Sequence, residues 1–207
     1  MTEAFAGDLE ADIELDGVLV ADRDLSGQSA PGARVVECRL ERVTLEGIRL
    51  TNARIMETTL LECHAGSVSL VGASLQEVEL TACRFGALEA YDAELVDVSV
   101  RGGKLDFVNL RGSRLRDVRF EDVVVGDLDL ADVEARRVTF VGCRIGRLDV
   151  NRARLTEVDL RGADLDELEG LAGLAGTTIS GEQLYRLAPA LAAHLRISVV
   201  DGPPGVE

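Results

Sequence analysis

The sequence predicts an all-β solenoid whose coils have four sides of five residues each, closed by a short C-terminal helical module. Three observations predict it. Apolar residues recur at every fifth position from Val35 to Leu165 without a slip of phase, and only Ala65, Ala90 and Ala135 reduce the side chain to a methyl. The residue two places before each of these centres is also apolar or small, and its size alternates with period ten: Ala53, Cys63, Ala73 and Cys83 interleave with Thr58, Val68, Val78 and Leu88. After Glu169 the pattern stops, and a helical spacing replaces it.

A period of five matches neither an α-helix at about 3.6 nor a free strand at about 2.0. Each unit is therefore one short side of a coil with two residues pointing in. The period-ten alternation excludes three or five sides per turn. At spacing 20 the small residues separate again, into a column with Ala33, Ala53, Ala73, Ala93, Ser113 and Ala153 and one with Cys63, Cys83, Gly103, Val123 and Cys143. Four sides is the economical reading, and looking for repeats first is what exposes it.

Composition bounds the rest. The chain has 207 residues, 46% of them hydrophobic, but only 3% aromatic and no Trp, so its core must be aliphatic. Acidic residues number 37 against 22 basic, a formal charge of −15. That excludes direct binding of nucleic acid or an anionic membrane and favours a basic partner. The opening MTEAFAGDLE has acids where a secretory leader needs a positive stretch, and no apolar run approaches a membrane span of about 18 residues, so a cytoplasmic location is expected.

Taken in order along the chain, residues 1–12 form an acidic N-terminal segment, residues 13–169 the repeat body and residues 170–207 a C-terminal helical module with its tail. Residues 26–32 keep the phase but lack the apolar centres, which predicts a distorted or bulged corner. Gly47, Asn52, Gly72, Gly102, Gly112, Gly142 and Gly162 share the last position of the unit, where corners with positive φ favour Gly or Asn. The GLAGLAGTT stretch reads as a linker. Ser180 and Gln183 make a capping box ahead of Leu184, Leu187, Leu191 and Leu195 at helical spacing. Pro189 predicts a kink or a second helix opening there, and Ile197–Val200 reads as a short strand before a frayed tail.

No chemistry is signalled, and the chain is not expected to be an enzyme or to use a cofactor or metal. His64 and His194 lie in different modules, no paired Cys/His ligand set, Gly-rich phosphate loop or nucleophile elbow occurs, and the carboxylates of a loop-free rod have no cleft. The frame points Cys63 inward and His64 outward, and stacks Cys63 on Cys83, where a reducing cytosol keeps both as thiols.

Charge is the surface signal. Outward-facing Glu37, Glu57, Glu77, Asp97, Asp117 and Glu157 form a column at spacing 20, broken by Arg137. Glu89, Asp129 and Asp149 form a second, shorter set with Asn109 between. Stacked like charges cost roughly 0.2 to 1 kcal/mol each, so a row retained against that cost points to recognition. Against it stand an Arg34, Arg54, Arg114 and Arg154 column placed to neutralise the first row, and a basic belt of Arg101, Lys104, Arg111, Arg114, Arg116 and Arg119 at mid-body.

Units such as Ala163-Asp164-Leu165, Ala73-Ser74-Leu75 and Ala93-Glu94-Leu95 resemble the Ala-(Asp/Asn)-Leu-X-X pattern of pentapeptide repeat proteins. The resemblance covers about residues 13–168. It implies a right-handed quadrilateral parallel β-helix. With no projecting loops, the chain is most similar to the loop-free quinolone-resistance members (Qnr/Mfp type). What that resemblance implies is a DNA mimic that binds DNA gyrase or topoisomerase IV and modulates it, or protects it from inhibitors. It also implies a homodimer built through the C-terminal module, with Leu184, Leu187, Leu191, Leu195, Ile197 and Val199 at the interface. The competing class is a non-enzymatic scaffold or regulatory protein that binds another partner through outward apolar residues such as Leu61, Tyr91, Phe107 and Val141.

Overall fold

A five-residue side is too short to stabilise itself, so each coil depends on hydrogen bonds to the coils above and below it. The structure, a computed structural model, describes residues 3–4 and 7–200. In it the chain winds through about eight turns of parallel strands. The fold is an all-β, pentapeptide-repeat-like quadrilateral β-helix with a short C-terminal helix. Among the described residues the strands form two parallel sheets, of fourteen and seven strands.

Residues 20 apart are direct neighbours in register: Leu75 pairs with Leu95, Leu95 with Leu115, and Leu88 with Val108. Spacing 20 in the sequence is therefore one strand separation in space, about 4.8 Å. Both inward positions lie in one continuous core. Val78, Val98, Val118, Val138 and Val158 are each 2% exposed or less, and Leu105, Leu110, Leu130 and Leu160 are 3% or less.

Corners are held by left-handed backbone. Three of the four corner positions have φ between about 47° and 73° in coil after coil, at Asp12, Gly32, Asn52 and Gly72, at Gly17, Glu37, Glu57 and Glu77, and at Asp22, Arg42, Glu62 and Ala82. The fourth corner is left-handed at Gly27 and Gly47, but the corresponding Ser67, Ala87, Phe107, Asp127 and Arg147 are not, and unbroken strands such as His64–Ser69 and Arg84–Glu89 run through it. The expected corner glycines have positive φ except Gly162, which lies where the pattern begins to end.

Residues 26–32 are regular, correcting the bulged corner. Leu25 and Ala30 supply the centres at 2% and 0% exposure, and Gly27, Ala30 and Gly32 donate to Glu46, Arg49 and Thr51 with the offset of 19 used throughout the ladder.

Both ends depart from the period. Glu3–Ala4 already pairs with Val18–Leu19, an offset of 15, so the ladder reaches into the acidic segment before residue 13. GLAGLAGTT is not a linker. Leu171–Leu174 is a single 3-10 turn seated on the preceding coil with Gly173 buried, and Thr177–Thr178 pairs with Val158–Asp159 at an offset of 19. The last coil is one residue short, a change that a repeat scan registers as loss of pattern.

The helix Gly181–His194 carries the expected capping box: Ser180 Oγ accepts from Gln183 N at 3.1 Å and Gln183 Oε1 accepts from Ser180 N at 2.7 Å. Gln183 Nε2 also donates to the carbonyls of Leu160 and Ala163, both at 2.7 Å, and its side chain is 4% exposed. That amide caps carbonyls a further coil would have satisfied. Pro189 lies inside one continuous helix, so no second helix opens there. On an exposed face its missing N–H frees a carbonyl that water can serve. Residues 197–200 form no strand, since no neighbouring strand edge is offered to them. Residues 201–207, read above as a tail, lie outside the described residues. No described helix is long and apolar enough to cross a membrane.

Candidate protein-interaction surface

A left-handed corner favours Gly, Asn or Asp; other L-residues carry a cost of roughly 1 to 2 kcal/mol there. The corner column starting at Asp12 obeys this rule: Asp12, Gly32, Asn52, Gly72, Asp92, Gly112 and Asp132, ending on Arg152. Its carboxylates are never stacked. The Asp12 carboxylate overhangs Gly32, that of Asp92 overhangs Gly112, and Arg152 donates two bonds of 2.6 Å to Asp132. In the column starting at Asp22 the same devices recur, with Arg42 donating to Asp22 at 2.7 Å twice and Asp122 overhanging Gly142.

From Glu37 to Asp97 the third column uses neither device. Glu37, Glu57, Glu77, Asp97 and Asp117 follow one another with φ of 51°, 47°, 54°, 53° and 57°, acid directly on acid through five coils. All five side chains are exposed, and among the described residues Glu37, Glu57, Glu77 and Asp97 make no ion pair. Glutamate has no preference for this backbone, so neither the corner nor the stacking accounts for the choice of residue.

Further along, the row is neutralised. Arg137 Nε and Nη2 donate to Asp117 at 2.5 and 2.7 Å, and Arg136 approaches Glu157 at 3.8 Å. The Arg137 guanidinium beside Asp117 holds its carboxyl below the usual range. The free part of the ladder is thus Glu37, Glu57, Glu77 and Asp97. A shallow groove runs beside it, and Glu57, Glu77, Glu79, Asp97, Arg101 and Arg119 are among the residues that line it.

The arginine column does not neutralise this row. Arg114 and Arg154 both turn to Glu134, at 4.0 and 2.5 Å, and neither Arg34 nor Arg54 reaches a ladder carboxylate. The basic belt is largely cancelled in place: Arg101 and Arg119 pair with Glu121, Lys104 with Asp106 and Arg111 with Asp129.

The second acidic set is not a uniform surface. Asp129 and Asp149 are buried at 9% and 6% exposure, and Glu89 alone of the three is exposed. Asp129 Oδ1 accepts from Ala131 N at 2.9 Å and Asp149 Oδ1 from Asn151 N at 2.8 Å, local turns that Asn109 repeats with Arg111 N. These two carboxylates build a corner. The i to i+2 spacing of Asp or Asn before the next side was the available signal, and charge alone hid it.

All four cysteines are free and buried. The Cys63 sulfur beside it, together with burial, pushes the Cys83 thiol up. His64 faces out, with Nε2 3.0 Å from Thr44 Oγ1. Among the described residues no group of three or more His, Cys, Asp or Glu is gathered to hold a metal ion.

In the C-terminal module Leu184, Leu195, Ile197 and Val199 are exposed, as are Tyr185 at 83% and Val200 at 80%. Leu187 and Leu191 are half-buried. Gln183 is the helix's one buried residue, so most of its apolar surface is uncovered.

No protein-family model matches the chain, and no curated protein does. Among solved structures it is similar to full-length QnrB1, a plasmid-mediated fluoroquinolone resistance protein, at 17% identity and a TM-score of 0.36 over 84% of this chain and 99% of that one. A trypsin-treated QnrB1 variant aligns at 15% identity and a TM-score of 0.36 over 97% and 100%. The chain is also similar to HetL, a pentapeptide repeat protein involved in heterocyst differentiation regulation from the cyanobacterium Nostoc sp. strain PCC 7120, at 17% identity and a TM-score of 0.27 over 82% and 90%.

Proposed function

We propose that this chain is a non-enzymatic DNA mimic of the cytoplasm that binds DNA gyrase or topoisomerase IV through the free carboxylates of one corner. The observation that carries the reading is the run Glu37, Glu57, Glu77, Asp97, where acids are stacked at left-handed corners while both neighbouring columns break such stacks with Gly or Arg. One carboxylate per coil is one charge per about 4.8 Å. That is closer to the spacing of about 3.4 Å along a single DNA strand than to the duplex value of about 1.7 Å. The imitation is of one phosphate row, and it suits a basic groove on a protein partner.

A supercoiling assay with purified gyrase, with and without a quinolone, tests this. Inhibition or protection near stoichiometric amounts is the expected result, and no effect at a large molar excess rejects it. A second reading, a scaffold for another protein, is favoured by the ion-paired C-terminal half of the body. Retention of a different partner by a chain inert on topoisomerases would select it.

The proposal includes a homodimer through the C-terminal module. Side chains such as Leu195, Ile197 and Val199 each gain about 1.5 to 3 kcal/mol on full burial. Light scattering is expected to give a dimeric mass, and a monomeric mass removes this part.

A further inference from the structure

The core is not filled evenly along its axis. From Phe85 onward rings and tightly packed aliphatics occupy it: Phe120 stacks on Phe140 with centroids 4.9 Å apart, and Leu110, Leu128, Leu130 and Leu148 are 3% exposed or less. On the N-terminal side of Phe85 no ring reaches the axis of the described coils. There a cavity of about 70 Å³ runs between walls that include Leu25, Leu45, Ile55 and Leu75. Leu40, Leu50 and Leu60 also line it and, although they are axial residues, are only half-buried.

The cavity offers water nothing. Its one polar wall residue, Thr58, is 1% exposed, donates from Oγ1 to the Met56 carbonyl at 2.8 Å and accepts from Cys38 N at 3.3 Å. A site of this kind stays dry, because a buried water needs two or more polar partners. Its walls have forgone dispersion contacts that an occupant would restore.

We infer that the N-terminal half of the axis is a binding site for small apolar molecules, of the class of a xenon atom or a short unbranched hydrocarbon. Size sets the class. An aliphatic and aromatic cavity of about 150 Å³ admits benzene. This one has about half that volume, too little for a ring.

Xenon is the probe. Methyl spectra of the full chain are recorded under rising xenon pressure. Saturable shifts are expected at Leu40, Leu45, Leu50, Leu60 and Leu75, with none at Leu105, Leu128 and Leu148. Leu60→Phe, which puts a ring in the cavity, is expected to abolish the shifts while retaining the β-sheet circular dichroism. If that variant does not fold, the wild-type methyl map decides by itself. Absence of saturable shifts, or equal shifts in both halves, overturns the inference. Because the readout involves no partner, it stands or falls independently of the topoisomerase proposal.

Discussion

Two corner columns of this rod have the same backbone and opposite chemistry. At Asp12 to Arg152 and at Glu37 to Glu157 the chain turns with the same left-handed φ every 20 residues, and both columns are solvent-facing. The first alternates its acids with Gly or closes on Arg, so each carboxylate has room or a partner. The second piles carboxylates on one another from Glu37 to Asp117. Since the backbone is common to both, it cannot have selected glutamate in one of them. The repeat thus prescribes that a corner turns and leaves what the corner displays free to serve recognition.

The largest expected effect comes from reversing the display. Glu57→Lys, Glu77→Lys and Asp97→Lys together should reduce any action on gyrase by roughly tenfold or more, since like charge then faces a basic partner. Asp92→Lys in the neighbouring column should leave it unchanged. Titrating the folded variants in the supercoiling assay decides this, and full activity in the triple variant would remove the ladder as the contact surface.

Next in size is the conversion of the ordinary column into a stacked one. Gly112→Asp sets a carboxylate beneath Asp92 at a φ of 69°. Loss of Gly and the new repulsion together should destabilise the protein by about 1 to 2 kcal/mol in chemical denaturation. No loss would mean that acid stacking at these corners is free, and the comparison would lose its force. The converse change, Glu77→Gly, should stabilise by about 1 kcal/mol and raise Tm by about 2 to 4 °C, while weakening any partner effect. A gain in stability with a loss of function is the combination that separates recognition from folding.

The smallest effect is on titration. Arg137 lowers the Asp117 carboxyl, so this pair's contribution is present above the ordinary Asp value of about 3.9 and is lost as pH falls through the lower folded-state value. In Arg137→Gln the Asp117 midpoint, followed by carboxyl NMR, should move up, and the variant should lose less stability than the wild type on acidification. An unmoved midpoint would show that the pair does not persist in solution.

The interior was legible because inward and outward facing is a local property of a five-residue unit. Val78, Val98 and Val118 are buried and Glu57 and Glu77 exposed, as period and phase require. The capping box at Ser180 and Gln183 was legible for the same reason, being three residues long. The candidate surface was legible only as a list of charges. Asp129 and Asp149 look like Asp97 in sequence yet are buried corner-builders, because an adjacent amide two residues on claims each carboxylate.

The sequence alone was enough for the number of sides and the core, since these repeat and every copy restates them, but not for the fourth corner, which unbroken strands replace from His64 onward. Tertiary structure decided the rest. Which carboxylates stay free depends on the residue one coil away, as with Asp117 under Arg137, and that partner's rotamer is not periodic. The ends of the rod were also settled there. The Leu171–Leu174 turn, the short last coil and Gln183 over the Leu160 carbonyl answer to the surface left by the preceding coil, where no repeat remains to announce them.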